Sequence, residues 1–139
     1  MAKTTLDIKY EYDFILIGIS CHEKEYRLSW ALNQSLHFEL ERRKDMQIEL
    51  KKQSEPLSYP FFEYDDVENY RKYYLISNKC TGGMLLPEQK QADFLLMIKG
   101  TIRPPEKISI IKAIKEIQLV LTAFEINPEQ LKSRENLLF

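Results

Sequence analysis

Phe14-Ile15-Leu16-Ile17-Gly18-Ile19 and Phe94-Leu95-Leu96-Met97-Ile98 are apolar at every position, without alternation. A strand with one wet face alternates apolar and polar side chains, whereas a strand buried on both faces reads as a continuous apolar run. These two runs therefore predict two central strands. Each is followed by a helical period. After the first, Leu28, Ala31, Leu32, Ser35 and Leu36 fall on one stripe, with Tyr26, Trp30 and Asn33 on a neighbouring face, so a helix over residues 21–36 is expected. Ser20-Cys21-His22-Glu23 has capping-box spacing at its start. After the second, Pro104-Pro105 supply a rigid first turn, and Ile110, Ile111, Ile114 and Ile117 line an inner face. Leu119 to Ile126 then returns as a strand, and Asn127-Pro128-Glu129 caps a last short turn.

Between these units the period changes to two. Phe38, Leu40 and Arg42 alternate with Glu39, Glu41 and Arg43, and Met46, Ile48 and Leu50 with Gln47, Glu49 and Lys51. With Arg43-Lys44-Asp45 as a tight turn, this predicts a hairpin that is buried on one face. Residues 58–64 and 70–77 read as two further strands joined by the acidic turn Asp65-Asp66-Val67-Glu68-Asn69, and Pro60 marks the first as an edge strand. Cys80-Thr81-Gly82-Gly83 reads as a loop. The resulting order, β-α-β-β-β-β-β-α-β, is that of an α+β fold. The expected architecture is an elaborated split β-α-β (ferredoxin-like) antiparallel sheet with two helices and extra hairpins. Residues 1–139 are expected to form a single domain, with 132–139 as a C-terminal tail.

The composition is ordinary for a globular chain, at 44% hydrophobic and 29% charged. Twenty Lys and Arg oppose 21 Asp and Glu, which argues against nucleic acid and anionic membrane as partners, because phosphate recognition usually shows as a basic excess. The longest uncharged apolar stretches, 14–21 and 117–124, are too short to span a bilayer. Cys21 and Cys80 follow no metal or redox spacing, and two free thiols without an export signal suggest a cytoplasmic location.

The candidate chemistry is sparse. Cys21-His22 lies where a strand meets a helix, a common ligand position and one that lowers a thiol's pKa, but no oriented base or oxyanion site accompanies it. Cys21, His22, His37 and Cys80 have no ligand-pair spacing for zinc. Glu63, Asp65, Asp66 and Glu68 have the composition of a solvated turn rather than a cation loop. Asp93 reads as structural, at the start of a central strand. The most unusual feature is the run of seven aromatic residues between Tyr59 and Tyr74. Alternation sets Tyr70 and Tyr74 on one face and Tyr73 on the other, so some rings are expected outside the core, in an interface or a groove. Packing of a two-stranded extension onto the sheet is the plainer alternative.

Four segments together resemble the bacterial IPExxVDY family. They are Tyr12-Asp13-Phe14 to Ile19, the Arg27-Leu28-Ser29-Trp30-Ala31-Leu32-Asn33 helix, Leu86-Pro87-Glu88 running into Ala92-Asp93-Phe94, and Thr122-Ala123-Phe124-Glu125-Ile126 to Asn136-Leu137-Leu138-Phe139. The sequence departs from the motif: Leu stands for Ile, Ala-Asp-Phe for Val-Asp-Tyr, and three residues instead of two separate Glu88 from Ala92. The resemblance covers nearly the whole chain, and implies a domain named for a motif and not for an activity. It carries over no catalytic or binding residue.

The expected function is that of a non-enzymatic binding or assembly module acting through an aromatic-rich surface. Tyr59, Phe62, Tyr64, Tyr70, Tyr73, Tyr74 and Glu88 are its candidate contact residues. Its partner is a second copy, giving a homodimer, or another protein. No cofactor and no metal are expected. The alternative is a small enzyme or ligand sensor using the loops at Ser20–His22 and Thr81–Glu88.

Overall fold

In the computed structural model, residues 14–48, 57–80 and 83–131 are described. Among these residues ten strands and two helices follow one another: β1 (Phe14–Ser20), α1 (Glu25–Leu36), β2 (Glu41–Arg42), β3 (Met46–Ile48), β4 (Leu57–Tyr59), β5 (Phe61–Asp66), β6 (Arg71–Ser77), β7 (Lys79–Cys80), β8 (Gly83–Met84), β9 (Phe94–Lys99), α2 (Pro104–Lys115) and β10 (Thr122–Ile126). Short 3-10 turns occupy Val67–Asn69 and Pro128–Gln130. Six strands form one antiparallel sheet in the order β10-β1-β9-β6-β5-β2, while β3-β4 and β7-β8 make small two-stranded ribbons. The class is α+β, as the sequence predicts. Strands β1 and β9 lie side by side inside the sheet, and β5 and β2 extend it at one edge.

Both continuous apolar runs are interior strands. Leu16 to Ser20 and Phe94 to Ile98 are buried at every position. The pleat sends alternate residues to opposite faces. Ile17, Leu96 and Leu75 pair across three strands and point to the face covered by both helices, where they meet Leu28, Leu32, Ile110 and Ile114. Leu16, Met97 and Tyr74 form the matching row on the opposite face, covered by Tyr59, Leu85, Leu86 and Leu131. The sheet thus divides two apolar layers. Gly18 belongs to the second layer. A side chain there would stand 2.7 Å from ring carbons of Phe124, so the missing Cβ is what lets that ring lie on β1.

Four local expectations are corrected. In the hairpin expected from 38–43 and 46–51, residues 38–43 and 46–48 do not pair with each other: β2 pairs with β5 and β3 with β4, and residues 49–51 lie outside the described residues. The chain is held to this path by Asn33, whose side chain both donates to the Leu40 carbonyl at 3.2 Å and accepts from its amide at 3.0 Å. Pro60 does not sit in an edge strand but breaks the chain between β4 and β5, and its carbonyl accepts from the Ser77 amide. Ser20 does not cap α1. It ends β1 with its hydroxyl donating to the Gln91 carbonyl, and the helix begins four residues after the expected start, at Glu25. Ser35, placed on the inner stripe of α1, is exposed. The tail at 132–139 lies outside the described residues.

Candidate groove between the helices and the aromatic hairpin

The β5-β6 hairpin carries its rings to both sides of the sheet, so the seven candidate residues do not share a surface. Tyr59 and Tyr74 are buried in the ribbon-side layer, and Phe62 and Tyr73 in the helix-side layer. Tyr64 is half-buried at the edge of the helix-side layer, and Tyr70 stands 88% exposed at the hairpin tip. Tyr70 has φ of 56°, the left-handed conformation that closes the 3-10 turn. Glu88 is exposed in the loop between β8 and β9. Tyr73 and Tyr74 lie on opposite faces of the sheet, as their alternation predicts.

Part of the set does line a groove. The end of α1, one side of α2 and the β5-β6 hairpin enclose a volume of about 470 Å3. Its wall is a row of three rings: Phe38 and Tyr73 have centroids 4.5 Å apart, and Tyr73 and Tyr64 stack at 5.1 Å with 17° between planes. Such offset contacts fix the rings beyond what burial alone achieves. Burial, followed by the nearby carboxylates of Asp66 and Glu39, raises the pKa of Tyr64. Burial also raises that of Tyr73, against the opposing pull of Arg71.

The floor is an ion pair. Arg71 at the start of β6 reaches Glu106 in the first turn of α2 through two bonds of 2.5 and 2.7 Å. Its Nε and the shared Nη2 also donate to the Thr101 carbonyl, at 3.2 and 3.1 Å. Arg71 is 14% exposed and Glu106 44%, so the pair closes one end of the groove while staying accessible. The hydrogen bonds from Arg71 hold the Glu106 carboxyl below its ordinary pKa of 4.5. Because Glu106 titrates lower folded than unfolded, the stabilisation is present in full above pH 4.5 and is lost as pH falls through the folded value. Its size is modest, since the carboxylate is well solvated. Glu106→Gln should flatten the acid limb of the stability curve below pH 4.5, measured by urea denaturation from pH 3 to 7, and leave its neutral limb nearly level. An acid limb identical to wild type would show that the pair contributes nothing.

The second candidate region lies at the opposite end of β9. Asp93 accepts from the Cys21 amide at 2.9 Å and from Lys79 Nζ at 2.7 Å, tying β1, β7 and β9 together. Cys21 is buried, and burial pushes its thiol up, opposed by a hydrogen bond from the Glu23 backbone. That is the reverse of what an activated nucleophile needs. Cys21 in the native chain should react with iodoacetamide at pH 7.5 at least about tenfold more slowly than in denaturant, read by peptide mass spectrometry. Equal rates would contradict its burial. Thr81 and Gly82, part of the alternative site, lie outside the described residues.

One residue that sequence reasoning missed organises this end. Asn78 is fully buried, donates its side-chain amide to the carbonyls of Ala92 (2.8 Å), Gln89 (3.1 Å) and Leu86 (3.4 Å), and accepts from the Leu86 amide at 2.7 Å. Its position just after a strand carries only a generic turn signal. No group of His, Cys, Asp and Glu among the described residues is arranged to hold a metal ion, and no helix among them is long and apolar enough to cross a membrane. Neither a family model nor a curated protein matches the chain.

Proposed function

We propose that this chain is a non-enzymatic binding module and that the groove between α1, α2 and the β5-β6 hairpin is its binding surface. The observation that supports this most is the row of Phe38, Tyr73 and Tyr64 along a groove of about 470 Å3, ending on the accessible Arg71–Glu106 pair. Binding sites combine apolar, ring-rich walls with a few fixed polar groups, in volumes of this order. The groups present bind and orient. The Cys21 thiol is not an activated nucleophile, since it is buried and its pKa is raised.

Ser109 is exposed on α2 and lines the groove, so Ser109→Trp fills it from a helix surface that tolerates a large side chain. Wild type and variant, purified gently from cells that make the protein, are compared by native mass spectrometry. The reading predicts a bound species on the wild type that the variant lacks. Identical spectra, or no bound species on either, would remove the groove as the binding surface.

A further inference from the structure

From the charges around the groove we infer that it takes a small organic cation, an ammonium or guanidinium group carried on an apolar body. This rests on the reading of the groove as the binding surface. Three features of separate origin favour positive charge. The first is the Tyr64 ring, half-buried on the groove and backed by Tyr73 and Phe38. Aromatic faces attract a cation that comes within about 6 Å, and they offer nothing comparable to an anion.

The second is the balance of charged side chains. Asp66 and Glu106 line the groove against Arg71 alone. Arg71 and Glu106 neutralise each other, and the rest of the guanidinium is held by the Thr101 carbonyl. Asp66, the cross-strand partner of Arg71, bonds the neutral amide of Asn69 at 2.9 Å and enters no ion pair among the described residues, so it leaves negative charge at the groove. Glu39 and Glu68 add to it: after burial, all three carboxylates help to raise the Tyr64 pKa, so the field at that hydroxyl is negative.

The third is the helix. Ser35, Leu36 and His37 bring the C-terminal end of α1 to the groove, and its last turn contains no basic residue. The carbonyls at such an end carry partial negative charge that favours a cation. The volume of about 470 Å3 admits the apolar body of a small ligand beside the charged group.

The test is an amide NMR titration of the full chain at pH 7 with three probes of one shape: phenethylamine, phenethyl alcohol and phenylacetate. The amine should shift the amides of residues 35–38, 64–66 and 106–113, the alcohol should bind several-fold more weakly, and phenylacetate should leave these amides unmoved. Asp66→Asn, which keeps the shape and a partner for Asn69, should weaken the amine about threefold or more. Equal binding of amine and alcohol in the groove would overturn the inference and leave the binding surface standing. An amine that shifts nothing up to about 10 mM would overturn the inference as well, and the Ser109→Trp comparison then judges the groove independently. Unchanged amine affinity in Asp66→Asn would remove the electrostatic argument.

Discussion

Leu96→Ala is expected to destabilise the protein by about 2–5 kcal/mol. Leu96 is fully buried in β9, flanked by Ile17 on one side and Leu75 on the other, with both helices packed over the row. Truncation removes the transfer energy of the lost carbons and leaves a cavity, because neighbours fixed in two strands cannot close on it. Leu121→Ala provides the contrast. That residue is 63% exposed, and its truncation should change stability by no more than about 0.5 kcal/mol. Chemical denaturation of the two variants beside wild type decides the matter. A loss near zero for Leu96→Ala would mean that β9 is not the centre of the sheet.

Asn78→Ala is the other substitution with a large expected effect, by a different route. It removes no significant apolar area. It strands the Leu86 amide, which receives its 2.7 Å bond, and the Ala92 carbonyl, which accepts at 2.8 Å. A buried polar group left without its partner costs about 1–3 kcal/mol, so a total on the order of 3 kcal/mol is expected. The loss should be local before it is global: amide exchange at Leu86 and Ala92 should quicken more than exchange within β1. Uniform acceleration across the sheet would instead mark Asn78 as part of the main cooperative unit.

Residues whose environment is set by their neighbours in sequence were legible in advance. The runs 14–19 and 94–98 declare two-sided burial by lacking alternation, and Pro104-Pro105 announces the start of α2 because its missing donors are ones a helix start does not use. The expected hairpin at 38–51 failed for the opposite reason. Its alternation is genuine, but alternation says that a segment is a strand, not which strand it pairs with. Asn33 in the preceding helix and Phe61 to Glu63 further on settle the pairing. Asn78 was invisible because an inward-facing asparagine and a turn asparagine are the same letter. The groove was illegible as a whole: three segments build it, and the sequence showed only that one of them was rich in rings.

The two-layered sheet sets how substitutions combine. Leu95 and Leu96 are covalent neighbours, yet one packs against the ribbons and the other against the helices. Adjacent positions along β9 therefore face separate packing problems, and changes there should add nearly independently, as they do for groups that share no partners. Leu96 and Ile98, or Leu95 and Met97, share a layer and should compensate for one another's volume. Among natural variants of this chain, the central strands should drift as two interleaved sets of positions. Each set would keep its own total volume, at a spacing of two residues.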